Sequence, residues 1–268
     1  ELLLENGADR LGVATLNEAI ELRRLFYDVP ILILGSSLES ETDELVKNDI
    51  TPNVYMTEFA KALSDSAVKQ KKTVKVHIKL DTGMSRIGFP VGDGDNSEII
   101  EEIIAISKLP NLEIEGIFSH FATSDEVDTQ YTHLQFGRFM SVCDTLKERG
   151  IEIPIKHICN SAGIMMYPEY HLDMVRPGVI LYGMYPSNDV DKSKLDLKYV
   201  MSLKSIITYV KEIEPGRGVS YGKEYIANNV AKIATVPIGY ADGYLRALAE
   251  KAKIAVGEKL FPIAGRIC

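Results

Sequence analysis

Short apolar runs rich in β-branched residues alternate along this chain with longer stretches in which apolar positions recur every three or four residues. The runs Leu11–Thr15, Ile31–Gly35, Val54–Met56, Val74–Leu80, Ile114–His120, Lys156–Asn160 and Asp173–Arg176 read as strands. Between most of them lie helical patterns: Leu16–Phe26, opened by the capping box Thr15-Leu-Asn-Glu18, then Thr57–Lys69, Ser97–Lys108 and Thr129–Arg149. Strict alternation of this kind predicts parallel strands joined by helical crossovers. The expected fold class is therefore α/β, as a (β/α)8 TIM-type barrel. Such a barrel needs eight strands, and the chain opens inside a helical pattern, Leu2–Asn6 stopped by Gly7, with no strand before it. It also ends within a strand-like run, Arg266-Ile-Cys268. We therefore expect the first barrel strand to be missing from these residues and the last domain to be cut short.

After Gly183 the texture changes. The polar stretch Ser187–Lys194 reads as a linker, and beyond it helical periodicity gives way to β-rich runs at Tyr199–Ile213, Ala231–Tyr240 and Lys253–Ile267, bounded by Pro-Gly, Asn-Asn and Gly-Glu turns. The expected division is a barrel over residues 1–190 and a truncated all-β domain over 191–268.

Composition narrows the classes. The 268 residues are 46% hydrophobic and 25% charged, which suits a globular protein with a large core. A formal charge of −8 and the lack of a basic stripe exclude a nucleic-acid partner; the cluster Lys69–Lys75 is expected to cap a helix end. No apolar run approaches the roughly 20 residues that span a bilayer, and the acidic start lacks a signal peptide's basic region. Three cysteines, Cys143, Cys159 and Cys268, have no metal-ligand spacing and suit reduced thiols in the cytoplasm. No metal site is expected.

In a parallel barrel the carboxyl ends of the strands carry the chemistry. Ser161 and the Gly178 and Val179 amides stand where apolar runs stop at polar and glycine residues, a pattern that offers N–H groups to a phosphate. Arg176 lies beside them. Arg86 follows a glycine turn after the Val74–Leu80 run, where it either holds an anionic group or simply pairs with Asp81. His120 ends its strand and reads either as a site histidine or as one satisfied by backbone; Arg176 likewise either serves the site or bridges to Asp173. Lys79 can pair with Asp81, His157 reads as a core residue, and Met165-Met-Tyr167 as core. In the second domain Tyr221 and Tyr240 sit in Tyr-Gly turns, as ligand contacts or as packed rings.

Together the segments Leu80-Asp-Thr-Gly-Met-Ser-Arg-Ile-Gly88, Phe118-Ser-His-Phe-Ala-Thr123, Cys159-Asn-Ser161, Val175-Arg-Pro-Gly178, Leu181-Tyr-Gly183, Val219-Ser-Tyr-Gly222, Pro237-Ile-Gly-Tyr-Ala-Asp-Gly243 and Gly265-Arg-Ile-Cys268 resemble the alanine racemase family of pyridoxal-phosphate enzymes along essentially the whole chain. The resemblance implies pyridoxal 5'-phosphate linked to a lysine on the first barrel strand, outside this chain. Its phosphate would lie on Ser161, Gly178 and Val179, and Arg176 would face the pyridine nitrogen. A cation there disfavours protonation of the ring and so weakens it as an electron sink. Tyr221 would be the base on one face of the substrate α-carbon and the lysine the base on the other. An isolated tyrosine titrates at about 10, so His120, linking Tyr221 to Arg176, would activate it. Arg86 would contact the substrate carboxylate and the cofactor's phenolic oxygen, with Lys79, carbamylated in such enzymes, holding it in place. Tyr221 and Tyr240 would act across a homodimer interface. The implied function is interconversion of L- and D-alanine for peptidoglycan, and the chain by itself is expected to be inactive. A serine or broad-specificity racemase and a non-catalytic pyridoxal-phosphate carrier are the alternatives; the second base, Tyr221, speaks against the carrier.

Overall fold

A computed structural model describes residues 1–26, 28–249 and 251–268. It divides between Val200 and Met201 into two compact units. The first alternates α1 (Leu2–Glu5), β1 (Leu11–Val13), α2 (Leu16–Leu25), β2 (Ile31–Ile33), α3 (Thr42–Lys47), β3 (Asn53–Val54), α4 (Thr57–Gln70), β4 (Val74–Asp81), β5 (Phe89–Pro90), α5 (Ser97–Ile106), β6 (Leu112–Phe118), α6 (Gln130–Glu148), β7 (Ile155–His157) and α7 (Ser161–Met166). Every strand pairing here is parallel: β1 with β2, β3 with β4, β4 with β6 and β6 with β7, while an isolated bridge from Leu32 to Thr51 continues the order past β2. The order of pairing follows the order of sequence, as in a barrel wall.

Local chemistry starts and stops these elements as expected. Thr15 caps α2 through a reciprocal bond with Glu18. Lys71 ends α4 in the left-handed region at φ 55°, and Lys72 Nζ donates to the Val46 and Lys47 carbonyls at the end of α3, so these two lysines of the cluster serve helix ends while Lys75 pairs with Glu115. β4 shows why the sheet faces as it does. Val74, Val76, Ile78 and Leu80 lie in the main core with Leu63 and Ala67 of α4 and Ile103 of α5, each such side chain contributing about 1.5–3 kcal/mol by leaving water. The alternate residues Lys75, His77 and Lys79 therefore point to the opposite face, the barrel interior.

Two expectations need correction. Asp173–Arg176 is not a regular strand: its backbone-to-backbone bonds to the β7 segment are those of the amides of Asp173 (to Lys156 O, 3.1 Å) and Arg176 (to Cys159 O, 3.1 Å), and Pro177 has no amide to extend the ladder. The polar stretch from Ser187 is part of the first unit, where Val190 is buried with Ala162, Met165 and Ile180 and the Ser187 hydroxyl donates to Asp125 O.

The second unit is built from antiparallel pairs. β8 (Tyr209–Ile213) pairs with β11 (Ala231–Thr235), β9 (Gly218–Val219) with β10 (Tyr225–Ile226), and β12 (Lys253–Val256) with β13 (Lys259–Pro262) in a hairpin turned at Gly257, φ 60°. The run from Tyr199 becomes a strand only at Tyr209, because β11 supplies partners only from Thr235 backward. No helix among the described residues is long and apolar enough to cross a membrane.

Candidate active site

The carboxyl ends of β4, β6 and β7 converge on Arg176. Its Nη2 donates to Ser119 O (2.8 Å), Ile158 O (3.1 Å) and His120 Nδ1 (3.3 Å), and its Nη1 meets His157 Nδ1. A guanidinium has donors only, so both imidazoles must present lone pairs to it and both are neutral. The electrostatics agree: burial, then the charges of Arg176, Arg86 and Lys79, push His120 down to about 3, and burial followed by Arg176 holds His157 well below its ordinary value. Arg176, lowered by burial to about 10, stays protonated at neutral pH. The Phe118 ring is stacked on His157 at 4.6 Å, with Lys79 Nζ 5.1 Å and the Arg176 guanidinium 5.3 Å from its centre, so one aromatic ring lies beside both basic groups.

Next to Arg176 two helix starts adjoin. Asn160 caps α7, its Oδ1 accepting from Gly163 N and from the Ser124 hydroxyl, each at 2.9 Å. Ser161 Oγ accepts from Gly178 N at 2.9 Å, immediately before the 3₁₀ turn Val179–Tyr182. The serine keeps its own proton to donate. The Ser161 hydroxyl and the Gly178 amide thus meet at one place, with the Val179 amide next in the chain, a donor set that fits a phosphate once the Gly178 N–H exchanges the serine oxygen for it.

Lys79 is 2% exposed, and its Nζ donates to Leu80 O at 2.7 Å. Burial, then Arg176, brings its amine down to about 7. Asp81 forms no pair with it. Its Oδ1 accepts from the Gly83 and Ser85 amides and shapes the turn that carries Arg86, an exposed residue whose charge also bears on His120 and Arg176. That turn requires glycine at Gly88, where φ is 127° and a Cβ would strike the Asp81 amide.

In the second unit Tyr221 opens a 3₁₀ turn behind Ser220, which has φ 64° and donates its hydroxyl to Arg266 O (2.9 Å). Tyr240 opens another, its amide bonded to Cys268 O at 3.0 Å. The two phenols are 74% and 58% exposed, so neither ring packs into its own unit.

Comparison with known proteins bears directly on this arrangement. The family model described as alanine racemase, N-terminal domain, matches residues 1–186, and that of the C-terminal domain matches residues 200–268. The chain belongs to the alanine racemase family. It is 54% identical over 268 residues to an alanine racemase of Clostridium tetani, covering all of this chain and 68% of that one. Among solved structures, an alanine racemase of Clostridium difficile aligns with TM-score 0.91 at 44% identity, over 100% of this chain and 68% of the other. The same protein in complex with cycloserine aligns with TM-score 0.89 at 42% identity, again over 100% and 68%. The alanine racemase fold, a TIM-type barrel with a C-terminal β domain, is thus the fold of this chain.

For this member of the alanine racemase family, the structure gathers His120, Arg176, Ser161, Gly178, Val179, Arg86 and Lys79 at one end of the barrel wall. Arg176 does not bridge to Asp173, whose carboxylate accepts instead from Lys156 N. The sequence reading passed over three residues behind this site: it took His157 for plain core and left His77 and Glu115 unremarked. The signal was the period-two polar face Lys75, His77, Lys79 in an otherwise apolar strand.

Proposed function

We infer that the protein is a pyridoxal-phosphate-dependent alanine racemase, acting as a cytoplasmic homodimer and supplying D-alanine for peptidoglycan. The observation that carries the reading is Arg176 held by two neutral imidazoles beside a phosphate-type anion site. This donor set suits pyridoxal 5'-phosphate: Ser161, Gly178 and Val179 would hold the phosphate, and Arg176 would present a cation, in place of an acid, to the pyridine nitrogen. When bound, that cofactor withdraws electrons from the substrate's Cα–H bond.

The residues of the chain do the rest. His120, whose Nδ1 accepts from Arg176, is left with a proton on Nε2, which it would donate to the Tyr221 oxygen of a second subunit. Tyr221 then exchanges a proton with one face of Cα and the cofactor-linked lysine with the other. An exposed phenol can reach a second subunit's barrel, which supports catalysis across a dimer for Tyr221 and substrate contact for Tyr240. Arg86 would bind the substrate carboxylate. The Lys79 amine, brought to about 7, is neutral often enough to add carbon dioxide, which favours its carbamylation.

The test is D-alanine formation from L-alanine by the full-length gene product with pyridoxal phosphate, beside Tyr221→Phe. We expect turnover in the first and a loss of about 10²- to 10⁴-fold in the second, the range of a general acid–base group. Cofactor binding without alanine turnover would move the reading to another amino acid.

A further inference from the structure

Behind Arg176 a row of buried polar side chains runs away from the site through the barrel interior. His157 Nε2 lies 2.8 Å from His77 Nδ1, and His77 Nε2 lies 3.4 Å from Glu115 Oε2. Both rings are fully buried. At the far end Glu115 is bound by Arg10 through two nitrogens (2.6 and 3.2 Å) and by Lys75 (2.9 Å). Three adjacent strands supply the row, and a register shift between Val76 and His77 lets Gly116, not Glu115, oppose His77. A methyl group at Gly116 would collide with the His77 ring.

The donors and acceptors of this row have one consistent assignment. Arg176 offers only N–H, so His157 Nδ1 is an acceptor and a neutral His157 carries its proton on Nε2. That proton points at His77 Nδ1, which must accept, so His77 is protonated on Nε2 and donates to Glu115. The carboxylate, held ionised first by the His77 bond and then by Arg10 and Lys75, closes the row as an acceptor. Every hydrogen bond from Arg176 to Glu115 runs in the same sense.

We propose that Glu115 and His77 are positioning residues for Arg176: the carboxylate takes the last N–H of the row and so fixes both imidazoles in the tautomers that present an acceptor to the guanidinium. The inference rests on the racemase reading only for the use made of Arg176; the polarity of the row stands without it. Glu115→Gln is the informative change. With its one amide oxygen on Lys75 and Arg10 Nη2 in place of Oε1, the NH₂ stands where Oε2 faces His77, and Arg10 Nη1 loses its acceptor there. His77 then takes its proton on Nδ1, His157 is driven to Nδ1–H, and that proton opposes Arg176.

The experiment is long-range ¹H–¹⁵N correlation of the cofactor-free protein labelled at histidine, which reads the tautomer of each ring. We expect Nε2–H on both His77 and His157 in the natural protein and a change to Nδ1–H at His77 in E115Q. With it, racemase kcat should fall about 10- to 100-fold, as when outer partners of a functional group are removed, with KM for alanine little changed. An Nδ1–H tautomer on either ring of the natural protein overturns the proposal, and needs no variant to fold. So do unchanged tautomers in E115Q, or changed tautomers with unchanged kcat. If the natural protein has both Nε2–H rings yet does not racemise alanine, the racemase reading falls and the row stands.

Discussion

At the scale of single residues the site turns on what a side chain can donate. Arg176 reaches two ring nitrogens and two carbonyls at once because its nitrogens are spread in a planar fork. An ammonium has three donors on one atom and cannot span them. Arg176→Lys should therefore lower kcat and also lower the denaturant midpoint, since each stranded buried acceptor costs about 1–3 kcal/mol. Loss of activity with an unchanged midpoint would mean that the imidazoles do not depend on the guanidinium. Single residues were also where sequence was most and least legible. Ser161, Arg176 and His120 could be picked out because they end apolar runs. His157 and Glu115 lie within runs, where a buried polar residue and a structural one look alike until their partners are known.

Elements position these residues. The six-residue helix α7 owes its start to Asn160, which both caps it and ties it to Ser124 after β6. Asn160→Ala should cost about 1 kcal/mol and loosen the turn that carries Ser161. If all of that falls on the ligand, pyridoxal phosphate binding weakens roughly fivefold, which equilibrium dialysis would register; unchanged binding would separate the cap from the anion site. The helices α2, α4, α5 and α6 were legible because apolar periodicity over ten or more residues leaves no competing pattern. Short pieces were not. The two residues of β5 and the six of α3 are fixed by neighbours, and the Asp173–Arg176 segment reads as a strand yet follows its neighbour too loosely to be one.

For the molecule as a whole, the buried histidines set how stability depends on pH. In the unfolded chain an imidazole gains its proton as pH falls through about 6.5, whereas native His120 does so only at about 3, and native His157 and His77 are also held below the ordinary value. Between those limits the unfolded state binds more protons, so acidification destabilises the fold. Glu115, depressed below 4.5, adds its share at lower pH as its carboxylate is protonated. The denaturant midpoint should fall steadily from pH 7 to pH 4.5; a midpoint that rises over this window would contradict neutral buried rings. At this scale the division into an α/β half and a β half was readable from the change of texture after Gly183. The role of the stretch from Ser187 was not, because one buried valine is enough to dock a polar segment.

The row behind Arg176 has one more consequence. A wire that conducts protons needs a source that releases them at one end, and here every N–H points away from Arg176 toward Glu115. Protons could shift along it only toward Glu115, and only if one left the guanidinium, which at neutral pH does not let go. The barrel interior thus transmits polarisation but insulates against proton flow, and any hydrogen exchanged at the site must come and go through the open end, by the route the substrate itself takes.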